Sequence, residues 1–113
     1  MATPSETRNQ TLKQLRETFL KMSSPEWDLA LLGKPQEVQT EAALEYARVQ
    51  RARLRLGNAQ LADIRDKLVA NEKDLEKGRK RVAKALSDLR KVKTVLAAVS
   101  PFLDIVGRVV ALV

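Results

Sequence analysis

Apolar residues recur in steps of seven over the second half of this chain. Leu61, Leu68, Leu75, Val82, Leu89 and Leu96 hold successive a positions, and Ile64, Ala85, Val92 and Val99 fill most d positions, interrupted by Asn71 and Gly78. That period predicts one long helix over residues 59–99. Its packing seam is Leu61, Ile64, Leu68, Leu75, Val82, Leu89, Val92, Leu96 and Val99. Such a helix is not stable alone in water, so a second helix, from the same chain or from another copy, must cover the seam. Asn71, an amide at a d position, is expected to set register or partner choice. Gly78 costs about 1 kcal/mol relative to alanine in a helix interior. The heptad phase nevertheless continues from Leu75 to Val82, and the helix is read as unbroken there.

The first half divides more finely. Leu12, Leu15, Phe19 and Met22 form one apolar stripe on a helix over 5–22, with Lys13, Glu17 and Lys21 on its solvated side. Ser24-Pro25 starts a short helix over 25–32, which Gly33 ends, and Trp27 beside that start is expected to be a hydrophobic plug. Val38, Ala42, Tyr46, Val49 and Leu56 mark a helix over 36–56, with Arg48, Arg51, Arg53 and Arg55 near its negative end. The apolar phase of this helix disagrees with the downstream heptads, and the shift coincides with Gly57-Asn58. A tight turn there, and so an antiparallel helical hairpin, satisfies both signals. The alternative is a continuous helix with a stutter, about 95 Å long, which demands an elongated oligomer.

Ser100-Pro101 is expected to end the long helix and to start a short one over 101–112. Phe102, Leu103, Ile105, Val106, Val109 and Val110 dominate its apolar side, while Asp104 and Arg108 are spaced to pair on the other. This face is expected to be folded back as core or buried between subunits, with contact to a membrane surface as the alternative.

Composition narrows the chemistry. The 113 residues include no cysteine and no histidine, which excludes disulfides, Cys/His zinc sites, a cysteine nucleophile and the commonest general base. Glu37, Glu41 and Glu45 align at i, i+4 spacing, yet bundle di-metal sites also use histidine, so the line reads as a surface feature. Charge is unevenly distributed. Residues 1–46 carry five basic and seven acidic side chains, and residues 47–113 carry sixteen and seven. On a continuous helix Lys77, Lys80, Lys84 and Lys91 fall within about 60° of arc opposite the seam and span about 21 Å. They form a candidate anion-binding face for nucleic-acid phosphates or anionic lipid. No aromatic is interleaved for base stacking, so nucleic-acid binding there would be weakly sequence-specific. The polar N-terminus has no signal-peptide core, and no stretch is apolar for long enough to span a membrane.

The expectation is an all-α protein with one helical domain over 1–113. It is read as a long antiparallel helical hairpin or coiled coil with short N-terminal helices and a short apolar C-terminal helix, its bundle completed by self-association. The function expected is that of a non-catalytic assembly or adaptor module acting through helix–helix association, without cofactor, metal or small-molecule substrate. Its partner would be a second copy, giving a dimer or higher homo-oligomer, or another helical protein. The alternative function is a basic amphipathic helical protein that docks on an anionic membrane surface or, non-specifically, on nucleic acid. The expected location is cytoplasmic, or peripheral to a membrane.

Overall fold

A computed structural model describes residues 2–112, and among them the fold is entirely helical. Six helices follow in order: α1 (Pro4–Met22), α2 (Pro25–Leu31), α3 (Gln36–Asn58), α4 (Leu61–Ala70), α5 (Glu72–Ala85) and α6 (Val92–Val106). Local signals explain most of their ends. The Thr3 hydroxyl accepts a hydrogen bond from the Glu6 amide at 3.1 Å, and the Glu6 carboxylate accepts one from the Thr3 amide at 3.2 Å, closing a capping box ahead of α1. Ser24 caps α2 through the Trp27 amide at 3.2 Å, with Pro25 at the first helical position. Gly33 then adopts φ +82°, a conformation that favours glycine, and Lys34-Pro35 redirects the chain into α3. α3 runs through the expected turn at Gly57-Asn58 and ends at Asn58, and the turn is made by Ala59 and Gln60. α3 packs on α1 and α6 rather than on the helix that follows it, so the expected hairpin of these two helices is not made.

The long helix expected over 59–99 is three segments. The first interruption is Asn71, whose main-chain amide and side-chain amide both donate to the Lys67 carbonyl, at 3.1 and 2.8 Å. Its side chain therefore closes a helix end, which is the use that short polar side chains compete for, and the expected role in register is not what its contacts serve. The second interruption is the six-residue turn 86–91. The Ser87 hydroxyl donates back to the Lys84 carbonyl at 2.6 Å, and the Asp88 carboxylate accepts from the Arg90 amide at 3.1 Å. Both side chains capture main-chain groups that a continuing helix would use. Leu86 and Leu89 are tucked into the core from this turn. The seven-residue step from Val82 to Leu96 is thus preserved across a reversal. Gly78, in contrast, lies inside α5.

Contacts between helices give the relative directions of α1 and α3 and of α5 and α6. Arg8 reaches the Ala59 carbonyl at 3.3 Å, Phe19 stacks on Tyr46 with centroids 5.2 Å apart, and Tyr46 shares a hydrogen bond with Ser23 at 2.8 Å, so α1 and α3 are antiparallel. Asp74 pairs with Arg108 at 3.1 Å while Gly78 faces Phe102, which makes α5 and α6 antiparallel. α1 packs against α3, α4 and α5, and α6 packs against α3 and α5. Four helices, α1, α3, α6 and α5, therefore surround one core, with neighbours running in opposite directions except α1 with α5 and α3 with α6. The molecule measures 45 × 26 × 18 Å, which leaves no room for the alternative of one helix about 95 Å long.

α1 buries a face that its apolar residues do not mark. Thr7, Thr11, Gln14 and Thr18 are buried together with Leu15 and Met22, whereas Leu12 and Phe19 are only partly covered. The hydroxyls of Thr11 and Thr18 donate to the carbonyls four residues earlier, each at 2.8 Å. Their methyl groups are left to pack, and these two buried hydroxyls are satisfied within the helix.

α6 continues through Ser100-Pro101 to Val106, so the expected separate helix over 101–112 does not form. Proline removes one donor inside the helix and leaves the Ala97 carbonyl without its usual partner. Pro101 and Ala97 both face solvent, where water takes that carbonyl. Residues 107–112 fold back without forming a helix, and the Arg51 guanidinium donates to the Leu112 carbonyl at 2.9 Å.

Candidate interaction surfaces

The heptad seam is core. Ile64, Leu68, Leu75, Val82, Leu89, Val92, Leu96 and Val99 are buried within one chain, and Leu61 is partly buried against them. The same holds at the C-terminus, where Phe102, Leu103, Val106 and Val109 are buried and Ile105 and Val110 pack at the edge. The covering helices are the chain's own α1, α3 and α6. Of the two expected sources of a covering helix, the chain itself supplies it, because α6, expected as part of the long helix, folds back onto α5. Among the described residues no helix is long and apolar enough to cross a membrane.

The lysine face is only partly as expected. Lys77, Lys80 and Lys84 lie exposed on the outside of α5, where Lys80 pairs with Glu76 at 2.9 Å. Lys91 leaves the row because the helix ends before it. It lies instead across an open groove of about 560 Å³ between α5 and α6, lined by Arg81, Lys84, Ala85, Lys91, Thr94 and Ala98 among others. Lys73 takes the vacated place in the row: at 100° per residue, Lys73, Lys77, Lys80 and Lys84 fall within about 60° of arc.

The expected pair of Asp104 with Arg108 is not made. Asp104 accepts from Arg48 of α3 at 2.8 Å, and Arg108 reaches Asp74 of α5 at 3.1 Å, so both side chains bind neighbouring helices to α6 and its end. Burial opposes the charge on Arg48, but the hydrogen bonds to Asp104 and Glu45 outweigh it and raise its pKa. Glu45, buried on α3, is thus the partner of Arg48 at 3.1 Å, while Glu37 and Glu41 remain exposed. Among the described residues there is no acidic cluster able to hold a metal ion. Trp27 is buried, as a plug beside its cap.

One surface escaped the reading of the apolar pattern. α3 carries a second apolar row opposite its core-facing stripe. Leu44, Ala47 and Leu54 are exposed, with Leu44 at 62% and Leu54 at 59%. Together with Arg51 they follow steps of three, four and three, the spacing of a helix-pairing face. The signal was present in the sequence, since Ala47 and Leu54 continue the downstream a frame backwards. The flanks are polarised: Glu37 and Glu41 occupy the N-terminal half of α3, and Arg51 and Arg55 the C-terminal half. No protein-family model matches the sequence, and neither a curated protein nor a solved structure matches it.

Proposed function

We propose that this protein is a non-catalytic helical assembly module that pairs with a second copy of itself through the outer face of α3. The observation that carries the reading is the exposed row Leu44, Ala47 and Leu54 at helix-pairing spacing on a helix whose opposite side is already committed to the core. Large apolar side chains scattered singly on a surface need no explanation. A row in register along one helix is a packing face without a partner.

Charge selects the orientation. A parallel pair would bring the Arg51 and Arg55 ends of two α3 helices together. An antiparallel pair sets Leu44 against Leu54 of the other copy and brings the Glu41 flank to the Arg55 flank, twice by symmetry. This arrangement is self-complementary, as a two-fold interface requires.

The test is sedimentation or light scattering at micromolar to high micromolar concentration. The wild type is expected to dimerise, and Leu44→Glu with Leu54→Glu to be monomeric with an unchanged helical spectrum. Glu41→Arg and Arg55→Glu are each expected to weaken the dimer, and the two together to restore it. A wild type that stays strictly monomeric over that range sinks the proposal.

A further inference from the structure

We infer that the outer face of α5, with the adjoining α5–α6 groove, is a docking surface for the phosphate backbone of double-stranded nucleic acid. The inference is independent of pairing through α3. It begins with where the charge lies. Residues 73–93 carry nine basic and three acidic side chains, so this short segment accounts for nearly all of the chain's net charge of +7.

The three acids neutralise only part of that face. Asp74 is occupied by Arg108, Glu76 by Lys80 and Asp88 by Arg90. Lys73, Lys77, Arg79, Arg81, Lys84, Lys91 and Lys93 have no ion-pair partner among the described residues. A solvated helix face of ordinary type alternates its charges. This one sets four lysines on a single ridge about 17 Å long. Arg81, Lys84 and Lys91 line the groove together, and the acid among its lining residues, Asp88, is paired with Arg90.

The shape and chemistry favour a duplex over a lipid surface. α5 is an outer helix whose exposed side is a convex ridge, and a helix of this diameter fits a major groove about 12 Å wide, where lysines on its outer side reach the phosphates. A helix that docks on a membrane sinks apolar side chains into the acyl boundary. The exposed large apolar residues are Leu20, Leu29, Leu32, Leu44, Leu54 and Val69, and none lies in 73–93. The same segment has no aromatic to stack on bases and no asparagine or glutamine to pair with adenine, so the contacts it offers are those of exposed cations, whose first partners on a duplex are the phosphates. Binding is therefore sequence-independent and carried by counterion release.

The experiment is fluorescence anisotropy of a labelled generic duplex titrated with the full chain at several potassium chloride concentrations. The expected result is an affinity falling log-linearly with salt, and a loss of at least about tenfold, with a flatter salt slope, for Lys77→Glu with Lys84→Glu and for Arg81→Glu with Lys91→Glu. Lys13→Glu with Arg16→Glu, exposed on α1 and equal in charge change, is the control and is expected to stay within about twofold. An equal loss in the control shows that bulk charge alone is responsible and overturns the inference. So does binding to phosphatidylserine vesicles, measured by co-sedimentation, without binding to the duplex. Far-ultraviolet circular dichroism of each variant separates loss of binding from loss of fold.

Discussion

A Cβ placed on Gly78 would lie 2.8 Å from Cδ1 of Phe102. Glycine is therefore where it is because α5 and α6 approach each other closely at that point, and because the aromatic ring facing it is almost wholly buried. The helix-propensity penalty read from the sequence is a consequence of packing between two helices.

Gly78→Ala is expected to destabilise the protein by up to about 2 kcal/mol, because overpacking of about 1–3 kcal/mol offsets or exceeds the gain of about 1 kcal/mol in helix propensity. Thermal or denaturant unfolding measures it. A rise in stability would mean that the Phe102 ring moves freely, contrary to its burial.

Pro101→Ala is expected to act in the opposite direction. The site is exposed and no packing is lost, while the helix regains a donor for the Ala97 carbonyl. A gain of about 2 kcal/mol follows, the interior proline penalty of about 3 kcal/mol being reduced by up to about 1 kcal/mol through the greater freedom of the unfolded chain. Equilibrium denaturation, with an unchanged dependence on denaturant, is the check.

The threonines of α1 are expected to differ. Thr11→Val keeps the shape and removes a hydroxyl that donates only to a carbonyl already used by the helix, so stability changes little. Thr18→Val also removes the acceptor for the buried Gln14 side-chain amide, at 3.4 Å, and costs about 1–2 kcal/mol. Equal effects in unfolding experiments would contradict this assignment.

Acid is expected to weaken the fold from the ordinary carboxylate range downwards. A hydrogen bond from the Thr3 amide lowers the Glu6 pKa, one from Lys80 lowers that of Glu76, and one from Arg90 lowers that of Asp88. Unfolding returns these carboxyls to their ordinary values, so the unfolded chain takes up protons first as pH falls. Their stabilisation is complete above the ordinary range and is lost as pH falls through the lowered values. With no histidine or cysteine, thermal midpoints are expected to be level between about pH 6 and 8. A midpoint that declines already within that interval would refute the assignment.

The lysine face shows how far a linear pattern carries. Lys77, Lys80 and Lys84 share a side of α5 because residues three and four apart must do so on any helix. Lys91 obeys the same arithmetic only on a continuous helix. Six residues of turn place it across a groove instead, and Lys73 joins the row. Similarly, the outer row of α3 was visible as a second periodicity, but which of two apolar stripes faces water is a property of the neighbours.

Sequence alone determined that the chain is helical, where most helices begin, and which apolar residues of the second half are buried. Heptad spacing, proline and hydroxyl caps, and Gly33 are local causes acting over a few residues, and they operate before any tertiary contact exists. Tertiary structure decided what covers the seam. A run of sevens requires a partner helix but does not name it. Ser87 and Asp88 reverse the chain by capturing its main chain, and α6 then packs on α5 with Phe102 seated at Gly78. That closure is a contact between residues distant in sequence, paid for by burial along the whole interface, and no local preference encodes it.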